Sequence, residues 1–302
     1  MNYSVLNVGP NAHLDVPVEH PVQPSADHLT VLLCASGSTA TVPFGFAGLW
    51  WCVRGEALAL SSDSRVALNR RTIFVSDSQR NHSVCVQTSS NAIGLIASQT
   101  FWSALISLLG EEDYGEPAVF PAVHSASAKI CKQLLQFLRW VMGTSSDGLD
   151  ASQAIRLALT VRELQQSFTS LIARCPGPSL SRRRTVFLRL QRVRNHLSHC
   201  TQQKVDVGKL ALTTNYSVSS FIRVYYSVFG ETPYSYISRR RIDRAKKLLE
   251  AGEQCVGDVA LAVGFEHGSS LTRAIKRRYG RSATEFRRAK DRSDVRAEEE
   301  LL

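Results

Sequence analysis

Ser219 and Arg223 stand four residues apart, and the same pair returns fifty residues later as Ser269 and Arg273. Four residues is about one turn of an α-helix, so each pair shares a face. An α-helix fits the major groove of a duplex, an arginine fork matches O6 and N7 of guanine, and a serine hydroxyl can bond to most base edges. The chemistry that these pairs suit is the reading of base edges. Ser217, Arg240, Lys276, Arg277 and Arg281 surround them with the hydroxyl and cationic groups that hold phosphates, contacts that position a protein without specifying a sequence.

The periodicity says which elements must carry these side chains. Residues 207–212 predict a short helix, 213–216 a turn, and Ser217 an N-cap for a helix over 218–228 that buries Phe221, Val224, Tyr225 and Val228. A long basic helix follows over 233–249, with Arg239, Arg240, Arg244, Lys246 and Lys247 outward. Residues 257–263, a turn at Gly264-Phe265 and a helix over 267–279 with Leu271, Ala274 and Ile275 inward repeat the first unit. The offset between the copies is 49 residues before the turn and 50 after it, so the second turn holds one inserted residue. The pattern predicts two helix-turn-helix units in tandem. If both recognition helices face one side of a duplex, their groove visits are about 34 Å apart.

Charge agrees with this placement. The 302-residue chain is 44% hydrophobic and 21% charged, which is globular and long enough for two cores. Its net charge of +10 is lopsided: residues 1–174 hold 11 Lys/Arg against 13 Asp/Glu, and residues 175–302 hold 25 against 13. A basic half of this kind is the footprint of a polyanion partner. The seven cysteines are scattered without a Cys-x-x-Cys pair, and no His-x-His or His-x-x-x-His pair occurs, so neither a disulfide framework nor a metal site is expected. No apolar run reaches the length of a membrane span, and the expected location is the cytoplasm.

The first half reads as a different domain. Pro10, Pro17, Pro21 and Pro24 predict an extended arm over 1–27. Residues 28–98 read as short strands at 29–34, 49–53, 57–60, 72–75, 83–87 and 92–97, spaced like a small antiparallel β-barrel or jelly roll. Phe44, Trp50, Arg54, Arg80 and His82 are the candidate ligand contacts there, since aromatic walls with an arginine suit a small organic acid or aromatic compound. The alternative is that alternate aromatics simply fill the interior. Apolar stripes then predict amphipathic helices near 101–108, over 130–141 and over 151–173. They pack on the barrel, and one pair can also form a dimer seam. Residues 175–184, with Pro176, Gly177 and Pro178 before Arg182-Arg183-Arg184, read as a linker, the arginines as a solvated charge run or as added phosphate contacts. A first basic-domain helix after it buries Leu188, Val193 and Leu197 and exposes Arg189, Arg192 and Arg194. The basic domain is placed at 185–290 and a polar tail at 291–302.

Leu210-Ala211, Gly230-x-x-Pro233-x-x-Tyr236, Arg241 followed by Ala245 and Leu248-Leu249, Val259-Ala260-x-x-x-Gly264-Phe265, and Phe286-Arg287 form a specific set. With them, residues 188–288 resemble the DNA-binding domain of the AraC/XylS family of bacterial transcription regulators. The resemblance implies an α+β chain: two helix-turn-helix units joined by a long helix, preceded by a cupin-like sensing and dimerising domain over 28–174. It implies double-stranded promoter DNA and RNA polymerase as partners, activation, a homodimer, a possible small organic effector, and no enzymatic activity or cofactor. Ala283 stands where the family has Pro, and Leu271 and Ile275 replace its usual aromatics, so the second unit is expected to read fewer bases than the first. One rival keeps the DNA-binding module and makes 28–174 a ligand-free dimerisation or docking scaffold. Another, a cysteine-based alkyl acceptor, needs a reactive thiol beside a His or metal, and no Cys has such a local neighbour.

Overall fold

The computed structural model describes residues 1–16, 28–61, 64–110, 117–144, 148–199, 205–252 and 254–287. Two compact units, Met1–Asn195 and His196–Leu302, divide the chain. The architecture is mixed, with sheets and helices in the first unit and helices in the second.

In the first unit the strands form two sheets and not a closed barrel. One sheet runs β1 (Asn2–Val8), β3 (His28–Cys34), β10 (Asn91–Ser98), β5 (Phe46–Arg54), β8 (Thr72–Val75), β11 (Ala122–Ser125). The other runs β2 (His13–Asp15), β4 (Thr39–Val42), β9 (His82–Val86), β6 (Glu56–Ser61), β7 (Ser64–Asn69). The expected extended arm is therefore corrected: β1 pairs in parallel with β3, and β2 in parallel with β4, so this segment lines one edge of each sheet. Residues 17–27 of that arm lie outside the described residues. The pairings leave β1 and β11 as edges of one sheet and β2 and β7 as edges of the other, which is why no barrel closes.

The six-stranded sheet is covered on both faces. Leu32, Trp50, Cys52 and Ile96 meet Ala40, Val42, Ala59, Leu68 and Val84 of the other sheet in one core. On the opposite face, Leu49, Trp51, Ile73 and Leu95 pack with α1 (Gln99–Ser107), α2 (Ala128–Gly143) and α3 (Ala151–Gln165) through Phe101, Leu105, Leu134, Leu138, Leu157 and Val161. Consecutive residues of β5 thus serve both layers, as strand alternation requires. The helix expected over 151–173 is broken by a 3-10 turn, Gln166–Phe168, before α4 (Thr169–Ala173).

A strap at residues 117–121 crosses this unit without joining a sheet, and all five of its residues are buried. Every backbone polar group from Pro117 to Pro121 is instead met by a side chain. Gln99 accepts from the N–H of Ala118 and Val119 (3.1 and 3.3 Å) and donates to the Val119 carbonyl (3.1 Å). Gln165 brackets Phe120, accepting from its N–H at 3.0 Å and donating to its carbonyl at 3.1 Å. Arg184 donates to the carbonyls of Pro117 and Ala118 (2.8 and 2.9 Å), and Gln191 and Asn195 both donate to that of Pro121 (3.2 and 2.7 Å).

The last three donors sit on α5 (Leu180–His199), which begins inside the expected linker. Its first turn is entered through Ser179, whose hydroxyl accepts from the N–H of Arg182 at 3.2 Å. The arginine run is accordingly not a uniform solvated stretch: Arg184 is 3% exposed and lies 5.0 Å over the Phe120 ring. Arg192, expected outward, instead binds Asp77 through two nitrogens (2.6 and 2.7 Å) and Gln79 through the third (2.7 Å). The division between the two units falls inside α5, after Asn195.

The second unit holds α6 (Val207–Thr213), α7 (Val218–Phe229), α8 (Pro233–Ala251), α9 (Val256–Ala262) and α10 (Gly268–Tyr279). Each matches an expected helix to within two residues. Asp206, Ser217 and Thr232 cap α6, α7 and α8 through side-chain oxygens. Gly230, Gly252 and Gly280 end α7, α8 and α10 in the left-handed region, at φ of 73°, 77° and 68°, where a Cβ would be strained.

Replacing Gln165 by Leu leaves both backbone groups of Phe120 buried without partners. It is expected to cost roughly 2 kcal/mol or more, since each orphaned group costs about 1–3 kcal/mol. Urea unfolding of the full chain measures this; a loss under about 0.5 kcal/mol would show that the strap does not depend on this bracket.

Candidate nucleic-acid interface

The repeat seen in residue types is also present in hydrogen bonds. After α6 the chain turns through Asn215 at φ 59°, and Tyr216 N–H returns to the Ala211 carbonyl at 3.1 Å. After α9 it turns through Gly264 at φ 85°, and Phe265 N–H returns to the Ala260 carbonyl at 2.9 Å. Asparagine and glycine are the residues that tolerate this conformation most readily. The extra residue of the second copy follows this point, because Ser217 and His267, fifty apart, are the N-caps of α7 and α10.

Each second helix buries one face and shows the other. Phe221, Tyr225 and Val228 of α7 are 0% exposed, as are Leu271 and Ile275 of α10. The substitutions away from aromatics therefore keep that core filled. Ser219 and Arg223 are exposed on α7, and Ser269 and Arg273 are exposed on α10. Tyr226, which the sequence reading passed over, continues the α7 face three residues beyond Arg223 and is 56% exposed. Its counterpart fifty residues on is Lys276, and that equivalence was the available signal.

The two helix starts differ. The Ser217 hydroxyl accepts from the N–H of Ser220 at 3.3 Å, so this predicted phosphate contact is also a cap, whereas His267 provides no side-chain cap. Beyond α10, Ala283 is 1% exposed, and its turn is held by a reciprocal pair: Ser282 Oγ accepts from Glu285 N–H at 3.2 Å, and Glu285 accepts from Ser282 N–H at 2.6 Å.

Neighbouring charges sort into tethered and exposed groups. Arg239 binds Glu231 (2.8 and 3.2 Å), which holds its guanidinium above the ordinary arginine range. Asp243 accepts from Tyr279 Oη at 2.6 Å and from Arg278 Nε at 2.9 Å, tying the end of α10 to α8. Arg241 donates to the Gly264 carbonyl at 3.0 Å, fixing the second turn. Arg281 lies 4.8 Å over the Phe286 ring, while Arg240, Lys276 and Arg277 are exposed.

The candidate ligand contacts of the first unit are placed differently. Trp50 is 0% exposed, and its Nε1–H donates to His82 Nε2 at 3.1 Å. Its ring lies across two glycines: a Cβ on Gly94 would come within 2.7 Å of the ring and one on Gly48 within 2.6 Å of Nε1. Phe44, 65% exposed, is joined to the 80–82 segment by an N–H to Asn81 Oδ1 bond of 2.7 Å. Arg80 is half-buried in that segment, and Arg54 is exposed at the far end of β5. Two apolar voids of about 10 Å³ each lie against the helix-covered face of the six-stranded sheet, one beside Trp51, Leu134 and Leu138 and one beside Trp102 and Val161. Among the described residues no group of three or more His, Cys, Asp or Glu side chains is placed to hold a metal, and no helix is long and apolar enough to cross a membrane.

Burial pushes the imidazoles of His82 and His124 down from 6.5 to about 4. Between those values the unfolded chain binds more protons than the folded one, so stability rises with pH through this window and is lost as pH falls from about 6.5 to about 4. Each shift is worth on the order of 3 kcal/mol at neutral pH, at about 1.4 kcal/mol per unit. Unfolding midpoints at pH 7 and pH 5 should differ accordingly, and equal midpoints would contradict neutral buried imidazoles.

A family profile described as a helix-turn-helix domain matches residues 210–289. The probable transcriptional regulator LumQ of Photobacterium leiognathi is 33% identical over 92 residues, covering 30% of this chain and 37% of LumQ. The regulator ExsA of Pseudomonas aeruginosa is 34% identical over 74 residues, 24% of this chain and 27% of ExsA. The virulence regulon transcriptional activator VirF of Yersinia enterocolitica is 28% identical over 100 residues, 33% of this chain and 37% of VirF. The chain thus matches between 27% and 37% of the length of these three relatives. Among solved structures, ToxT of Vibrio cholerae aligns with 85% of this chain and 95% of its own at 11% identity and a TM-score of 0.35. The DNA-binding domain of AdpA, solved with a target DNA, aligns with 33% of this chain and 90% of its own at 28% identity and a TM-score of 0.32. Residues 210–289 thus match a helix-turn-helix domain, and over that stretch the chain is similar to AraC-family transcriptional regulators.

Proposed function

We propose that this protein is a sequence-specific DNA-binding transcription regulator that activates promoters. The observation that carries this reading is the pair of exposed side-chain sets, Ser219 with Arg223 and Ser269 with Arg273, each on a helix whose opposite face is buried. Two helix-turn-helix units bridged by α8 present them to successive turns of the major groove of double-stranded promoter DNA. Ser217, Arg240, Lys276, Arg277 and Arg281 supply phosphate contacts. The first unit reads more of the sequence, because α7 starts on a side-chain cap and α10 does not. Similarity to an activator such as VirF supports activation, with RNA polymerase as the partner at the promoter. The cytoplasm is the compartment where both are met.

For the N-terminal, cupin-like part, two roles fit: sensing a small organic effector through Phe44, Trp50, Arg54, Arg80 and His82, or forming a homodimer without a ligand. Trp50 favours the second, since it fills a glycine-walled slot and turns its only polar atom to His82. In the scaffold reading, no member of a panel of small organic acids and aromatic compounds raises the melting temperature of the full chain. A saturable rise would instead assign a sensor, since a ligand stabilises the state that binds it.

Arg223→Ala is expected to weaken binding to a selected DNA site by about 1–3 kcal/mol and to relax preference at one base position. Binding measured across a library of sites tests this. Uniform weakening at all sites would place Arg223 on phosphate and remove it from base reading.

A further inference from the structure

We infer that Tyr226 of α7 is a third base-reading side chain, one that selects thymine by packing its ring against the 5-methyl group in the major groove. The inference rests on the DNA-binding reading above and adds to it a base feature that Ser219 and Arg223 leave unread.

Helix α7 carries four aromatic residues, and three of them stack into one row: the Tyr225 ring lies 5.7 Å from that of Phe221 and 4.7 Å from that of Phe229. Tyr226 is the fourth. It is 56% exposed, and among the described residues no hydrogen bond, ion pair or ring contact engages its side chain. At about 100° per residue, Ser219, Arg223 and Tyr226 fall within an arc of about 60°, on the side away from Phe221, Tyr225 and Val228. Tyr226 stands two turns, about 10 Å, beyond Ser219 along the axis. Recognition helices of the homeodomain type meet base edges over a span of this length.

The chemistry of the side chain says which base feature it suits. A tyrosine carries no charge, so a phosphate contact made by it gains nothing from counterion release. Its larger part is an apolar ring, and the apolar group that the major groove offers is the 5-methyl of thymine. Setting the ring against that methyl removes apolar area of both from water, and only two side-chain torsions have to be fixed. The repeat supplies the contrast. Fifty residues on, Lys276 holds the same place beside Ser269 and Arg273 and is also exposed. A lysine there suits a phosphate and carries no ring for a methyl group. The two units therefore differ in kind at this third position, an apolar reader in the first and a cation in the second.

The test is DNA binding by the full-length parent and by Tyr226→Ala, Tyr226→Phe and Tyr226→Lys, on a site selected by the parent from a random duplex library. Each thymine of that site is replaced in turn by deoxyuridine, which removes only the 5-methyl group. For the parent, one such replacement is expected to weaken binding about fourfold, the worth of one buried methyl group. Tyr226→Phe keeps this preference because the ring remains. Tyr226→Ala and Tyr226→Lys bind the thymine and uracil duplexes equally, while preference at every other position is unchanged; the lysine variant gives the same readout should the alanine variant not fold. The inference is overturned if no thymine methyl matters to the parent, or if the alanine and lysine variants keep the parent's preference at every thymine. Equal weakening of all sites by Tyr226→Phe would place the hydroxyl on a phosphate, which also overturns it. A parent chain that binds no duplex at all would fail the DNA-binding reading itself and this inference with it, a result told apart by the parent alone.

Discussion

The first unit depends on a strap that has nowhere to place its backbone. Residues 117–121 are buried and belong to no sheet, and a buried N–H or C=O without a partner costs about 1–3 kcal/mol. Pro117 and Pro121 bring no N–H, which reduces the donors to Ala118, Val119 and Phe120, and two glutamines accept from all three. The remaining demand is for donors to carbonyls, and that is where α5 enters. Arg184, Gln191 and Asn195 are seven and four residues apart, one face of that helix, and each reaches a strap carbonyl. The start of α1, the end of α3 and one face of α5 are thereby held by the same five residues of chain.

The second unit obeys a different constraint, one of repetition. The two turns share a left-handed residue and a returning hydrogen bond, yet one is entered from a serine cap and the other from an uncapped histidine. Two copies of one geometry have diverged where they meet solvent while keeping what the backbone requires. Asp243 and Arg241 show how the second copy is held: its last helix and its turn are both fastened to α8 by polar contacts. Helix α7 ends on Gly230 and is followed directly by the Thr232 cap of α8, so chain continuity supplies for the first pair what side chains supply for the second.

Much of this was legible in the sequence because the signals were local. Ser217 marks a helix start within a few residues of the group it caps, and the apolar periodicity of Phe221, Tyr236, Ile242 and Leu271 placed the second unit's helices. The exposed positions of Ser219, Arg223, Ser269 and Arg273 followed from helical phase once Phe221 and Leu271 were placed inward. What was not legible depended on distant partners. Arg192 and Arg184 look like surface charges until Asp77 and Pro117 are found 115 and 67 residues away. β1 and β2 pair in parallel with strands beyond a segment of prolines, so nothing nearby distinguishes them from an arm. The open pair of sheets rests on those same edge pairings, and Trp50's role rests on Gly94, a cross-strand neighbour that no spacing rule connects to it.

A single helix joins the two helix pairs of the second unit, and α8 buries different sides at its two ends. Tyr236 and Ile237 face one way, and Ile242, Ala245 and Leu249 face nearly the opposite way. The angle between the two helix pairs is therefore written in the count of residues between Ile237 and Ile242. Adding or removing one residue there would turn one pair against the other by about 100° and move it about 1.5 Å along the axis. The relative setting of the two helix pairs is in this sense a property of length, which a point substitution on the exposed side of α8 leaves unchanged and an insertion does not.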